Sequence, residues 1–522
     1  MPKEKSKYGQ YFTRPEIADF MVRLITKPKS AAILEPCCGK GVFLQTLSQH
    51  GYANVTAYEI DDRLSREYDN VRYRSFVSSP LGEKFDVAIG NPPYIRWKNL
   101  EPELKQELEG CQLWRRHFNS LCDYLFLFIL KAIEQLNEGG ELIYICSEYW
   151  LNSTNAKTLR EYMCNHGYFT EIFHFKEAPL FDQVTASVLV FRYVKSSGVK
   201  ARKLPAINFH LYTGKTTPKL QELLSRQCFK NWTIPQFEPG KRWLLTNAET
   251  QSRLESFEHW CSAPDELFDG KIVRLGDYCD IGNGMVSGLD RAFKLDDCSE
   301  LTPQENACTI TVLKAKDLDQ FAYNSTSKYM FMLNSGKRYG EEEFRVEFPN
   351  FYRKLYPYIH DLQQRYCYNR EIPYWEFVFP RNRKLFERKM EKIFVPCKER
   401  ISNKSHFRFC LAPANAYPLQ DVTCIAKKDS CRESLEYILA YLNSDIVFKW
   451  LCINGIVKGE IVEFSEAPIA SIPYRKIDWK SQTETTLHDA IAATVRHYLV
   501  KRDHDGRNEI NRLMGELEKH GH

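Results

Sequence analysis

The sequence has no long apolar run, no paired-cysteine motif and no internal repeat. Its longest purely apolar run, residues 124–130, is far too short to span a bilayer, and the opening MPKEKSKYGQ lacks the apolar core of a signal peptide. The seventeen cysteines are scattered, without a CxxC pair or a Cys/His spacing that fits zinc. We therefore expect a cytoplasmic protein with reduced thiols and no metal site.

A strong overall charge is also lacking. The 522 residues carry a formal net charge of +5, which indicates no particular partner. The charge is unevenly placed, however: −1 for residues 1–194, +8 for 195–245, −8 for 246–350, +8 for 351–410 and −2 for 411–522. Two basic segments in a nearly neutral chain indicate a local contact with a polyanion.

The first two hundred residues alternate strand-like and helix-like patterns. Strands are predicted at 31–35, 55–60, 86–90, 141–146, 171–175 and 185–194, and helices at 15–26, 42–49, 121–136 and 154–164. Such alternation is typical of a parallel sheet with helices on both faces. Ligands bind at the carboxyl ends of these strands, which makes the loops after Glu35, Ile60 and Gly90 candidate sites.

The first of these loops, EPCCGKGVF at residues 35–43, places glycines 39 and 41 between a strand and a helix. It is neither GxGxxG nor a P-loop, and Glu35 suits an ammonium group better than a phosphate. At the end of the next strand, Glu59 has the geometry to accept hydrogen bonds from both hydroxyls of a ribose. Alone each is an ordinary turn or a solvated acid; together they indicate a nucleoside cofactor with a positive charge, as in S-adenosylmethionine.

The third loop carries NPPY, Asn91 to Tyr94, after the strand DVAIG. An exocyclic amino group on a base is a poor nucleophile because its lone pair is delocalised into the ring. Acceptors on the Asn91 side chain and the Pro92 carbonyl would bind both amino protons and localise that lone pair, while Tyr94 offers a face for an extruded base. As an isolated tetrapeptide it would be a rigid turn, but its position after the other two loops favours catalysis.

In this order the segments resemble the gamma-type, TaqI-like adenine-N6 DNA methyltransferases of restriction–modification systems. KYGQYFTRPEIADFM (7–21) is similar to the family's first motif, and LFDQVTASVLVF (180–191) to its late motif. The resemblance implies a class I S-adenosylmethionine-dependent methyltransferase fold, with a Rossmann-like mixed α/β sheet, followed by an α+β target-recognition domain.

The resemblance also implies roles for individual residues. The catalytic positions are Asn91, Pro92, Pro93 and Tyr94, and Tyr94 and Phe181 would stack on the target base. The cofactor positions are Tyr11, Thr13, Glu35, Cys37, Gly39, Gly41, Glu59, Ile60 and Phe76. Arg14 replaces a usual proline, and Ser75 stands where the family has an aspartate that contacts the cofactor's adenine.

The second half of the chain resembles the family less specifically, through RLGDYCDIGNGMVSGLDRAF (274–293), PYWEF (373–377), LEYILAYLNSDIVFKW (435–450) and a terminal helix at 509–517. We expect a catalytic domain at 1–245, with a basic connecting segment at 195–245, then a target-recognition domain at 246–480 and a helical tail at 481–522. The basic, aromatic stretch 351–410 is predicted to contact phosphates.

The sequence therefore predicts a sequence-specific enzyme that transfers a methyl group from S-adenosylmethionine to the N6 amino group of adenine in duplex DNA, with base flipping. Cytosine-N4 or RNA-base methylation stays open as an alternative, as does a non-catalytic DNA-specificity protein. Its expected partners are double-stranded DNA, bound by a monomer between the domains, and a restriction endonuclease on a separate chain. The recognition sequence is not readable from the sequence.

Overall fold

A computed structural model describes residues 11–64, 67–181, 187–198, 204–241, 243–262 and 271–520 of the chain. The chain divides into two compact units, Met1–Ser252 and Arg253–His522. The predicted boundary after residue 245 lies close to this division, while the assignment of functions to the two parts stays a prediction. All seventeen cysteines lie in the described ranges and are free thiols.

The first unit is built on one nine-stranded mixed sheet in the order β3-β2-β1-β4-β5-β7-β6-β8-β9. Strands β1 to β5 are parallel where they pair, and β7 is antiparallel to both of its neighbours. The strands are β1 (Ile33–Glu35), β2 (Val55–Glu59), β3 (Val71–Tyr73), β4 (Phe85–Gly90), β5 (Leu136–Ser147), β6 (Gly167–His174), β7 (Val188–Lys195), β8 (Ile207–Tyr212) and β9 (Phe229–Ile234). This sheet confirms the predicted class I methyltransferase fold.

Seven helices accompany this sheet: α1 (Pro15–Val22), α2 (Val42–Gln49), α3 (Pro102–Gly110), α4 (Gln112–His117), α5 (Tyr124–Gln135), α6 (Lys157–His166) and α7 (Leu220–Ser225). Helix α5 begins later than predicted, because the Asp123 carboxylate caps it by accepting from the Leu125 N–H at 3.0 Å. Nearly the whole of α5 is buried, as its continuous apolar run predicts.

Residues 195–245 differ from the expected irregular connection. They add β8 and β9 to the sheet beyond β6, and β8 pairs with β6 in parallel. Farther along, Trp243 is buried and stacks on Phe237 with ring centroids 4.4 Å apart. Residues 199–203 of this segment lie outside the described residues. The basic connection therefore extends the sheet of the first unit. Its strand β8, INFHLY, does carry alternating apolar residues, so the expectation of an irregular connection was wrong here.

The second unit contains three small sheets, ordered β10-β18-β14-β16, β11-β13-β12-β17 and β15-β20-β19. Their strands are β10 (Cys279–Asn283), β11 (Lys294–Leu295), β12 (Thr309–Leu313), β13 (Ser327–Met330), β14 (Lys392–Pro396), β15 (Lys398–Arg400), β16 (Cys410–Ala412), β17 (Ala416–Pro418), β18 (Val422–Lys427), β19 (Ile456–Lys458) and β20 (Ile461–Glu463). An aromatic-rich core that includes Phe344, Phe348, Phe351 and Trp375 fills this unit.

The remaining helices are α8 (Ala248–Trp260), α9 (Leu275–Tyr278), α10 (Asp290–Phe293), α11 (Pro303–Ala307), α12 (Glu341–Glu347), α13 (Pro349–Leu355), α14 (Ile359–Gln364), α15 (Arg383–Phe386), α16 (Leu435–Leu442), α17 (Asp445–Asn454), α18 (Glu466–Ala470), α19 (Gln482–Lys501) and α20 (His504–Lys519). Helices α19 and α20 form the predicted helical tail and bury Val495, Ile510 and Leu513 of its apolar stripe. Among the described helices, none is long and apolar enough to cross a membrane.

Candidate active site

A cleft opens at the carboxyl edge of the first unit's sheet. Because β1, β2 and β4 are parallel neighbours, the loops that follow them meet at this edge. The cleft is lined by Tyr11, Phe12, Pro36, Cys37, Gly39, Glu59, Ile60, Ser75, Phe76, Asn91, Pro93, Leu104, Tyr124 and Phe128. The sequence therefore nominated most of the lining; the residues it did not nominate are Phe12, Pro36, Leu104 of α3, and Tyr124 and Phe128 of α5.

The glycine loop turns tightly under this cleft. Gly41 has φ +76°, and a side chain there would come within 2.4 Å of the Tyr68 ring, so that only glycine fits. Gly39, with φ +54°, donates its backbone N–H to Glu59 Oε2 at 2.7 Å. Gly39 lines the cleft and Gly41 does not, which makes Gly41 a residue that shapes the turn.

The Glu59 carboxylate is oriented by two backbone amides. Gly39 N–H binds one oxygen, and Asp61 N–H binds the other at 2.9 Å. Burial raises the pKa of Glu59 above its usual range, against the lowering effect of these hydrogen bonds. The carboxylate thus lines the cleft in a fixed orientation, and each oxygen retains a free lone pair for a ligand hydroxyl.

Glu35 is a buried carboxyl group without a partner. Its exposed fraction is zero, and neither carboxylate oxygen has a hydrogen-bond partner among the described residues. Burial raises the pKa of Glu35 well above its usual range, and the charge of Glu59 adds to the effect. An unsatisfied carboxyl group next in the chain to the cleft-lining Pro36 and Cys37 fits a cationic ligand group, since such a partner would compensate its burial.

Asn91 directly follows β4 and is hydrogen-bonded to the segment that precedes α1. Its side-chain nitrogen donates to the Tyr11 carbonyl at 2.6 Å and to Thr13 Oγ1 at 3.1 Å. The Cys37 thiol donates to the Asn91 carbonyl at 3.2 Å, which joins the glycine loop to the NPPY loop. With the amide nitrogen engaged twice, the side-chain oxygen is the group left to act as an acceptor.

Tyr94 packs in an aromatic cluster beside Asn91. Its ring stacks on Tyr11 with centroids 5.7 Å apart, and Phe181 lies 6.0 Å from Tyr11 and 6.4 Å from Tyr94. The Tyr94 hydroxyl donates to Asn91 Oδ1 and to the Ile145 carbonyl, the latter at 2.9 Å. Burial keeps this hydroxyl protonated by raising the pKa of Tyr94. The cluster brings both predicted base-stacking residues together, although residues 182–186 of the late motif lie outside the described residues.

The predicted site residues thus fall into two groups. Thr13, Glu35, Gly41, Pro92, Tyr94 and Phe181 stand behind or beside the cleft, and the others line it. Residues 7–10 of the first motif lie outside the described residues. Thr13, predicted at the cofactor, is hydrogen-bonded to Asn91, and its contact with the cofactor stays a prediction. Ser75 lines the cleft, and its hydroxyl accepts from the Val77 N–H at 3.2 Å.

Lys131 is a site feature that sequence reasoning missed. It is only 2% exposed, and its ammonium group donates to the carbonyls of Phe76, Val77 and Ser79 at 2.6 to 2.7 Å. Burial lowers the pKa of Lys131 to about 8. The lysine thereby holds the loop that carries Ser75 and Phe76 into the cleft. A single charge within the apolar run LFLFILKAI was the available signal.

The basic stretch of the second unit is largely engaged within the protein. Of its fourteen cations, seven form ion pairs: Arg353, Lys354, Arg383, Arg388, Arg400, Lys404 and Arg408. Four donate to backbone carbonyls: Arg365, Arg370, Arg381 and Lys392. In the described part of the chain, the exposed Lys384, Lys389 and Lys398 have neither kind of partner.

Comparison with known proteins finds relatives of one kind. A family model described as Eco57I restriction-modification methylase matches residues 39–181, and one described as N-6 DNA Methylase matches residues 1–61. The Type II methyltransferase M.HindII of Haemophilus influenzae is 43% identical over 98% of this chain and 98% of its own length. M.HincII, also of Haemophilus influenzae, is 41% identical over the same shares of both chains.

Among solved structures, the Type IIL restriction-modification enzyme MmeI in complex with DNA superposes with a TM-score of 0.57 at 11% identity. The match covers 97% of this chain and 71% of that chain. At this level of identity the likeness concerns the fold, and it extends over both units of the chain.

Proposed function

The chain belongs to the Type II methyltransferases of restriction–modification systems, and we propose that the cleft and residues 91–94 perform its reaction. It is an adenine-N6-specific DNA methyltransferase. The observation that supports this placement is the double anchoring of the Asn91 amide nitrogen by Tyr11 and Thr13 beside the cleft. That anchoring presents an acceptor oxygen at the carboxyl edge of the sheet, where ligands of such sheets bind.

S-adenosylmethionine is the proposed cofactor, and it supplies the activated methyl group. The residues present fit such a molecule: Glu35 is a buried, unsatisfied carboxyl group suited to an ammonium, and Glu59 is an oriented acceptor suited to ribose hydroxyls. Phe76 and Phe128 give the cleft apolar walls suited to an adenine ring. These groups bind and orient; no base is required before the transfer, because positioning supplies most of the rate effect.

At the target base, Asn91 Oδ1 and the Pro92 carbonyl are the proposed acceptors of the two N6 amino protons. Binding them localises the nitrogen lone pair toward the methyl donor, which makes the amino group a better nucleophile. Tyr94 now donates to Asn91 Oδ1, so its hydroxyl leaves that oxygen when the base arrives. The ring then becomes a stacking surface for the flipped base, an interaction worth roughly 1–3 kcal/mol.

For DNA binding, the proposal assigns phosphate contacts to Lys384, Lys389 and Lys398, since they are exposed and have no ion-pair partner in the described ranges. The other cations of the stretch are held by carboxylates or carbonyls of the second unit. The proposal further includes a monomeric enzyme, a gamma-type motif order, and a restriction endonuclease on a separate chain that recognises the same site.

Expression in a methylation-free host, followed by modification-detecting long-read sequencing of its genome, tests this function. We expect methylated adenine at one recurrent sequence with the wild-type chain and none with Asn91→Ala. The matched control is Asn99→Ala, an exposed asparagine of the same loop, which should methylate normally. Methylated cytosine would establish the cytosine-N4 alternative, and full methylation by Asn91→Ala would contradict the catalytic assignment.

A further inference from the structure

Residues 365–370 of the second unit, RYCYNR, place two aromatic side chains on the surface and an arginine partly inside, which is the reverse of the usual arrangement. Tyr366 is 70% exposed and Tyr368 is 43% exposed, whereas Arg365 is half-buried. The two tyrosine rings contact each other with centroids 4.7 Å apart. Large aromatic side chains are normally buried and arginines solvated, so that an exposed aromatic pair of this kind marks an interaction surface.

Two arginines flank this pair in the chain and anchor the segment to the rest of the unit. The Arg365 guanidinium donates to the carbonyls of Ser287, Pro373 and Glu376 at 2.6 to 2.9 Å. Arg370 donates to the Val378 carbonyl, and its guanidinium lies 5.5 Å from the Phe379 ring centroid. Both arginines therefore help to fix the loop: Arg365 is engaged by three hydrogen bonds, whereas the exposed Arg370 keeps a positive charge close to Tyr368 in the chain.

The backbone between the arginines is also constrained. Tyr368 and Asn369 both have left-handed conformations, with φ of +55° and +57°. A bulky residue rarely adopts this region without support from its surroundings. Here the Tyr368 ring packs on Phe379, with centroids 5.4 Å apart, and the arginines at both ends of the segment donate to backbone carbonyls. The segment thus holds the tyrosines outward in a preformed arrangement.

We propose that Tyr366 and Tyr368 form a DNA-contacting surface, at which their rings pack against the bases and sugars of the duplex. The inference rests on the proposed function, because duplex DNA is its occupant. Charge supports this occupant: the surrounding stretch 351–410 carries +8, and Lys384 and Lys389 are exposed and unpaired among the described residues. Tyrosine combines an aromatic face with a hydroxyl, so that the ring packs against sugars and bases while the hydroxyl bonds a base edge or a phosphate.

Fluorescence anisotropy with a labelled duplex tests the surface, the duplex carrying the site mapped from wild-type methylation. We compare wild type, Tyr366→Ala, the Tyr366→Ala/Tyr368→Ala double variant and Val346→Ala over a salt series. Val346 is the control, because it is a 73% exposed apolar residue of the same unit that lies outside the basic stretch 351–410. Thermal unfolding and cofactor binding of each variant show whether the fold and the cleft are preserved.

We expect the double variant to bind the cognate duplex about tenfold more weakly or worse, from the size of aromatic–base contacts. The dependence of log Kd on log salt should keep its slope, since no charge is removed. Tyr366→Ala, at the more exposed position, should lose part of this affinity with an unchanged unfolding midpoint, and Val346→Ala should lose none.

Binding by both Tyr variants within twofold of wild type would overturn the inference, as would a change in oligomeric state with DNA affinity retained. A reduced salt slope would also overturn it, by indicating lost phosphate contacts. These outcomes differ from failure of the proposed function, in which the wild-type chain itself neither binds nor methylates DNA.

Discussion

Thr13 Oγ1 lies 3.1 Å from Asn91 Nδ2 and accepts a hydrogen bond from it, across 78 residues of sequence. Together with the Tyr11 carbonyl, this contact fixes which end of the amide faces the cleft. We expect Thr13→Val to lower kcat about fivefold to tenfold, the size of one lost hydrogen bond of about 1 kcal/mol. Steady-state methylation kinetics with saturating cofactor measures the effect.

Thr13→Ser is the matched control, since it keeps the hydroxyl and should retain near-wild-type kcat. The two possible roles of Thr13, orienting Asn91 and binding the cofactor, predict different results for Thr13→Val. If Thr13→Val weakens cofactor binding and leaves kcat unchanged, Thr13 acts on the cofactor, as the family resemblance implies, and not through Asn91.

Glu35 gives a prediction about stability and pH. Burial raises its pKa well above the ordinary carboxyl value of about 4.3, so the folded protein binds this proton more tightly than the unfolded chain does. Stability contributed by protonated Glu35 is therefore lost as the pH rises from that ordinary value through the raised one. Glu35→Gln cannot ionise, and its unfolding midpoint without cofactor should exceed that of wild type at pH 8 and approach it at pH 5.

Cofactor binding should change in the opposite sense. Isothermal titration calorimetry with S-adenosylmethionine at pH 8 should show at least tenfold weaker binding to Glu35→Gln, because a neutral amide replaces the acceptor for the ammonium. Glu67→Gln, an exposed acid of the same unit, is the control for a charge change alone. Unchanged cofactor affinity in Glu35→Gln would refute the proposed pairing.

Much of the catalytic fold was predictable, because the elements around the cleft have strong local patterns. The helix predicted at 42–49 is α2 with the same bounds, and the strands before Glu35, Glu59 and Asn91 are present. The strands that end at Glu35 and Gly90 carry apolar residues up to a proline or a glycine, and α2 is followed closely by Gly51; these signals depend on near neighbours only. The three loops then converge because parallel strands place their carboxyl ends together.

What the sequence did not predict depends on distant partners. Strands β8 and β9 are short and are stabilised by pairing with β6 and with each other, so the alternation in INFHLY alone does not show that they extend the sheet. The carbonyls that bind Lys131 lie more than fifty residues earlier in the chain. The inward orientation of Arg365 likewise depends on carbonyls of the folded second unit, and a count of basic residues assigned it to phosphate.

Lys131 provides a test of the loop at 76–79. In Lys131→Met three backbone carbonyls lose a charged donor, and the free energy of unfolding should fall by about 3 kcal/mol. Since Phe76 lines the cleft, we also expect S-adenosylmethionine to bind about tenfold more weakly. Denaturant unfolding and calorimetry measure the two effects.

Lys84→Met is the matched control for this lysine, because Lys84 is exposed and donates to one carbonyl, that of Glu134 at 2.7 Å. It should change neither quantity appreciably. Wild-type cofactor affinity in a folded Lys131→Met protein would show that the loop is held in place without the lysine.

Two substitutions of Tyr94 distinguish the function of its ring from that of its hydroxyl. The ring is proposed to stack on the flipped base, whereas the hydroxyl now occupies Asn91 Oδ1, the oxygen proposed to receive the base. Tyr94→Phe removes the competing donor and keeps the ring, so kcat should stay within about threefold of wild type. Tyr94→Ala removes the ring and should lower kcat/KM for DNA by roughly 10- to 100-fold, as expected for a lost stacking interaction of 1–3 kcal/mol.

The rise in fluorescence of 2-aminopurine placed at the target position reports base flipping separately from methyl transfer. Flipping should persist in Tyr94→Phe, and the extruded base should be less well held in Tyr94→Ala, which leaves Tyr11 and Phe181 without the ring that packs against both. If Tyr94→Phe were as impaired as Tyr94→Ala, the hydroxyl and not the ring would be the essential group. Its contact with Asn91 Oδ1 would then persist during catalysis, and the amino protons would need a different acceptor.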